Sequence, residues 1–234
     1  MENFENAIGK KKNSEIPDGT LESRDINPEL ARKVENSKLV IDDKINLLLT
    51  KRGLKPASVI ELPVWLETEE KKREFLSESD IKEILDLIKE SGLEFNIGKK
   101  EIIEGSYRTE EEPDLEKFSR AERIEIMIAG SKDNLELLKK CWGTEDHEAI
   151  GKALGFPQTA VEAFVDKRES FLLDDMPKEI QESDGVLFLT PNLSKDNWQE
   201  EIKEGEKRAE FIKKISPKIY EERKKIKFGK SKLN

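Results

Sequence analysis

Apolar positions in this chain follow two rhythms. One is the three-to-four-residue spacing of a helix with a single buried face; the other is the strict alternation of a half-buried strand. Val40, Ile41, Ile45, Leu48 and Leu49 keep the first rhythm across 39–51, and Gly53 stops it. Ile81, Ile84, Leu85 and Ile88 repeat it, with Ser79-Asp80 as the expected cap and Ser91-Gly92 as the end. Leu135, Leu138 and Cys141 carry a further helix, capped by Ser131 or Asp133. Trp198, Ile202, Ala209, Ile212 and Ile215 form the stripe of a long last helix, which Ser194 or Asp196 can cap and Pro217 breaks or kinks. Glu69 to Phe75 reads as a short charged helix.

The second rhythm is clearest at 123–129. Ile124, Ile126 and Ile128 point one way, and Arg123, Glu125 and Met127 the other. Residues 93–98 alternate too, and Ile102-Ile103 extends that strand or begins its partner. Val59 to Leu66 is apolar and rich in β-formers, but Pro63 has no N–H for a ladder, which puts the segment at a sheet edge. Gly185 to Thr190 is a short, wholly apolar run and reads as a buried strand, and 105–113 as a polar loop. The expected fold is α+β: a small mixed or antiparallel sheet of about three to four strands with helices packed on one side. Residues 1–37 read as a disordered or loosely ordered arm, with a helical turn begun by Asn27 and Pro28. Residues 38–216 read as a single α+β domain and 217–234 as a basic C-terminal tail.

The most tightly specified stretch is 144–166, a helix corner. Thr144 can cap a first helix, with Glu145, Asp146 and Glu148 at its positive end. Ile150 and Leu154 share a face, and Gly155 stands where a helix end wants a left-handed residue. Pro157 opens a second helix with Val161, Phe164 and Val165 as its apolar face. Gly151, Gly155 and Val161 also resemble the small–Gly–β-branched spacing of the helix-turn-helix of DNA-binding domains, whose buried positions match Ile150, Leu154 and Phe164. The would-be reading face carries Gln158, Thr159, Glu162 and Asp166, however, and only Lys167 and Arg168 favour phosphates.

His147, Gly151, Leu154-Gly155-Phe156-Pro157, Ala160-Val161 and Phe164 resemble the H-x3-G-x2-LGYP-x2-CV-x2-F segment of small uncharacterised prokaryotic and archaeal proteins. The resemblance spans residues 147–164 and implies no known activity. Ala160 stands here where those proteins often have cysteine, so no thiol or metal role follows from it.

Composition narrows the chemistry. Charged residues make up 40% and hydrophobic ones 35%, so part of the chain is expected outside the core. One cysteine allows no internal disulfide and no multi-cysteine zinc site, and one histidine removes His-rich schemes. A catalytic set, if present, is Cys141 as thiol with His147 as base and Asp146 behind it. Against this, Cys141 in phase with Leu135 and Leu138 reads as a small buried hydrophobe. A metal would have to use His147. Gly229-Lys230-Ser231 repeats only the end of a P-loop and is set aside. Net charge is −9, yet 203–232 holds twelve Lys and Arg against five Glu, leaving −16 for the rest. The preferred account is that this basic end pairs with the protein's own acidic body.

The sequence names no activity. It favours a cytoplasmic, non-catalytic binding or interaction protein with no cofactor, no membrane segment and an unidentified partner, another protein being one candidate. One alternative is nucleic-acid association through the corner or the basic C-terminus, which the acidic balance disfavours. The other is an enzyme or metal protein centred on His147.

Overall fold

In the computed structural model, which describes residues 25–68, 72–107, 117–171, 175–176, 178–189 and 192–228, the alternating run at Ile124–Ile128 becomes the inside of a four-stranded antiparallel sheet. In chain order the elements are α1 (Pro28–Asn36), α2 (Ile41–Arg52), β1 (Ala57–Thr68), β2 (Lys72–Glu74), α3 (Glu78–Glu90), β3 (Glu94–Tyr107) and β4 (Lys117–Ala129). There follow α4 (Lys132–Cys141), α5 (His147–Ala153), α6 (Gln158–Phe164), β5 (Ser170–Phe171), α7 (Lys178–Gln181), α8 (Asp184–Leu187), β6 (Leu193–Ser194), α9 (Trp198–Ile215) and α10 (Pro217–Phe228). The sheet order is β2-β1-β4-β3, and β5 and β6 make a separate two-stranded ribbon. This is the α+β fold with a long C-terminal helix that the spacing predicts.

Helices cover both faces of the sheet at one end, not one face as the pattern suggested. On the first face Ile60, Leu62, Ile124, Ile126 and Ile128 join Leu47, Leu48, Ile84 and Ile88 of α2 and α3. On the other, Ala57 and Ala129 meet Leu135, Leu138 and Cys141 of α4, with Val59 and Met127 at the margin. The reason lies at one end of β1 and β4, where two alanines fall on that face. Ala57 pairs with Ala129 in register, so a helix can sit close on that side.

Pro63 is accommodated as expected. Along Ala57–Pro63, β1 pairs only with β4, and the register slips between Pro63 and Trp65. Trp65 then stands opposite Glu122 and donates its indole N–H to that carboxylate at 2.6 Å. Beyond the slip β2 joins the outer edge. The stretch read as a short helix from Glu69 is thus a strand over Lys72–Glu74, with Lys72 Nζ 4.2 Å from the Trp65 ring centroid; residues 69–71 lie outside the described residues.

Several caps differ from the expected ones. The cap of α3 lies two residues before Ser79, at Ser77, whose Oγ accepts from Asp80 N while Asp80 reaches back to Ser77 N, a capping box. α9 starts at Asn197 without a side-chain cap, and Ser194 is buried and otherwise engaged. The apolar run from Gly185 is helical over Asp184–Leu187, not a strand; Thr190 lies outside the described residues. Ser183 caps it by accepting from Val186 N, and Gly185 packs it against α9. A run this short and this apolar satisfies either buried element, and contact with α9 decides between them.

Both expected ends are revised. Asn27 does cap α1, accepting from Leu30 N at 2.7 Å, but Leu30, Ala31 and Val34 belong to the main core, so ordered structure begins before residue 38. At the other end α10 is no tail. Ile219 and Tyr220 are buried in the same core, and Tyr220 Oη donates to Asp184 Oδ1 at 2.6 Å. Residues 1–24, 108–116 and 229–234, with Gly229-Lys230-Ser231, lie outside the described residues; of the stretch read as a polar loop, 105–107 instead end β3, and the rest falls in that gap. Among the described residues no helix is long and apolar enough to cross a membrane.

Candidate functional site

The helix corner forms, with small shifts from the predicted details. Asp146, not Thr144, caps α5: its Oδ1 accepts from Ala149 N at 2.9 Å. Thr144 instead ties off α4, donating from Oγ1 to Cys141 O at 2.6 Å. Gly155 turns the chain at φ 75°, and a Cβ there would also lie 2.2 Å from Pro56 Cδ. Glycine is therefore required for both conformation and space. Pro157 is the N-cap of α6 rather than its first residue. The two helices meet where Gly151 faces Val161; a Cβ on Gly151 would come within 2.8 Å of Val161 Cγ2.

Between these helices, Leu189, Asn192, Leu193 and α9 lies a cavity of about 250 Å³. Ile150, Val161, Ala160, Phe164, Leu189 and Leu193 make most of its wall, and Phe156 and Pro157 of the turn close it. Its polar members are His147, Asn192 and Glu201. Glu201 is only 1% exposed and fully engaged. It accepts from Ser194 N at 2.9 Å, and from Ser194 Oγ and Thr159 Oγ1 at 2.5 Å each. Asn197 Nδ2 in turn donates to Thr159 Oγ1 at 3.2 Å. One carboxylate thus joins α6, β6 and α9, and a buried charge is stabilised by its three donors.

The residues singled out for chemistry separate. Cys141 is buried among Ala57, Ala129 and Leu138, and its thiol is directed at Leu138 O at 3.5 Å. Burial pushes that thiol above its ordinary pKa, which disfavours thiolate. His147 is exposed at the cavity rim, its ring edge-on to Phe164 at 5.8 Å between centroids. No hydrogen bond joins Cys141, Asp146 and His147 to one another's side chains among the described residues. Nor, among the described residues, do three His, Cys, Asp or Glu side chains converge as a metal would require. Phe164, expected to be buried, is 54% exposed; α6 buries Val161 and Ala163 instead and leaves Phe164 beside the cavity mouth.

The cations near the corner are occupied. Lys167 pairs with Glu148, as does Lys152, and these two hydrogen bonds pull the Glu148 carboxyl down to about 2. Arg168 pairs with Glu162 at 2.9 Å and Asp196 at 2.5 Å. In α10, Arg223 pairs with Asp42, Lys218 with Glu35, and Lys227 donates to Val186 O.

Sequence reasoning missed Glu201. Its signal was nevertheless present: Glu201, Gly205, Arg208 and Ile212 follow helical spacing, so two charged residues sit on the buried stripe of α9. Against this geometry, no protein-family model, curated protein or solved structure matches the chain.

Proposed function

We propose that the protein is a non-catalytic binding protein whose corner cavity takes an apolar small molecule. The observation that carries this is the cavity itself, about 250 Å³ and walled by aliphatic and aromatic side chains, with its buried carboxylate already holding three donors. Such a space offers apolar contact and shape. Phe164, half out of the structure at the rim and flanked by the His147 ring, is placed to close over an occupant. A cytoplasmic setting suits a chain with a single, buried cysteine. Nucleic-acid association has less support, because Lys167, Arg168, Lys218 and Arg223 are each paired with a carboxylate of the same chain. A role centred on His147 would need a second functional group beside it.

A neutral solvatochromic dye such as Nile red tests the reading. The full chain is expected to bind it at one site, and Ala160→Phe, which fills the cavity from α6, to abolish binding while the protein still melts cooperatively. Equal dye binding by Ala160→Phe, or none by the unmodified chain, would sink the proposal.

A further inference from the structure

Phe156 and Leu189 also line a second recess, of about 300 Å³, between α2, α9 and α10. Its walls carry three cations, Lys55, Arg208 and Arg223, against one acid, Asp42. That acid is taken: Asp42 Oδ1 lies 2.7 Å from Arg223. The other two cations are buried, and among the described residues no carboxylate comes within ion-pair distance of either. Lys55 is 8% exposed, its hydrogen bond goes to the neutral Asn46 Oδ1 at 2.9 Å, and its ammonium stands 5.8 Å from the Phe156 ring centroid. Arg208 is 5% exposed and donates from one terminal nitrogen to Gly155 O at 3.0 Å. The Arg208 Nε–H is buried with no partner, and neither cation joins an ion pair among the described residues.

This arrangement is costly to folding. A buried charge without a partner is destabilising even after relaxation, and replacing buried charges by apolar residues often stabilises a protein. Burial, with the Arg208 charge adding to it, pushes the Lys55 ammonium down to about 7. A guanidinium fork and an ammonium lining the same recess are the complement of an oxyanion. Apart from Asn46, the rest of the lining is apolar, with Ile45, Leu49, Phe188 and the Phe156 ring among it, which suits an apolar body.

We propose that this recess binds an organic anion, its carboxylate or phosphate group held by Lys55 and Arg208 and its apolar body lying against Phe156. The site is separate from the corner cavity and does not rest on it: a neutral dye reports on one and an anion on the other. The test is calorimetric titration of the full chain with benzoate, phenyl phosphate, inorganic phosphate and benzyl alcohol. Benzoate or phenyl phosphate is expected to bind at one site, whichever is tighter identifying the headgroup, and benzyl alcohol not to compete. Lys55→Met and Arg208→Met are each expected to weaken the anion by about tenfold or more. Both variants are expected to melt at or above the parent temperature without anion. If Arg208→Met does not fold, Arg208→Lys loses the fork and is expected to weaken binding likewise. Absence of binding by both organic anions at millimolar concentration, or unchanged affinity in Lys55→Met, overturns the site. Inorganic phosphate binding as tightly as phenyl phosphate overturns the role given to Phe156.

Discussion

Asp43 shows how one buried side chain sets a pH response. It lies in the first turn of α2, nearly buried, and burial first, then the Glu61 and Asp42 charges, push its carboxyl up to about 7. The folded protein therefore keeps this proton over a range where the unfolded chain, near its ordinary 3.8, has lost it. The linked stability is fully present below about 3.8 and fades as pH rises through about 7. Asp43→Asn keeps the shape and the acceptor but removes the charge. In urea unfolding the variant is expected to match the parent near pH 4 and to exceed it by about 2–4 kcal/mol at pH 8, the upper figure being full linkage. A gap that stays constant with pH would refute this account of Asp43.

At the scale of elements, the contact of α8 with α9 decides the sign of a common substitution. Gly205 lies mid-helix, where Gly→Ala in an exposed helix gains about 1 kcal/mol. Here a Cβ would meet Gly185 O at 2.0 Å and Leu189 Cγ at 2.7 Å. Backbone cannot yield as a side-chain tip can, so overpacking wins. Gly205→Ala is expected to destabilise by about 2–4 kcal/mol, read from denaturant midpoints. The same contact explains what the sequence could and could not reveal. Periodic elements with one dry face, such as α2, α3 and β4, were legible because their spacing is local. Gly53 and Gly155 were legible as helix ends because a left-handed turn is a property of the residue itself. The strand assigned from Gly185 failed because only the partner helix distinguishes the two conformations. The sequence located the corner around His147, Gly151 and Phe156, but the cavity needs Leu189, Leu193 and Glu201 from remote segments. Phe164 was misplaced because apolar character alone does not say which side of a short helix faces out. Lys55 has no periodic neighbours, so nothing local marks it as buried; Arg208 and Glu201 could have been found as charges on an apolar stripe.

Across the whole molecule, the acidic body and basic end are not two independent regions. Arg223 and Lys218 of α10 pair with Asp42 and Glu35 of α2 and α1, and Arg223 and Lys227 donate to carbonyls at the end of α8. These exposed or half-exposed pairs contribute about 1 kcal/mol or less each. Ile219 and Tyr220, both buried, contribute more: losing a large core side chain costs about 2–5 kcal/mol. Against a total stability of about 5–15 kcal/mol, removal of α10 is decisive. A chain ending at Ser216 is expected to lose cooperative thermal unfolding, or to melt far below the full chain, by circular dichroism. Unchanged melting would return residues 217–228 to the status of a solvated tail.

Ser216 Oγ donates to Glu35 at 2.7 Å across 181 positions of chain. For a polypeptide made from its N-terminus this has a temporal meaning. The apolar sides of α1 and α2 are synthesised early, and the residues that close over them, Ile219 and Tyr220, come late. Until α10 leaves the ribosome, those early helices must wait with part of their apolar surface uncovered. The interval of translation between them is when this protein is most exposed to chaperones and to its own neighbours.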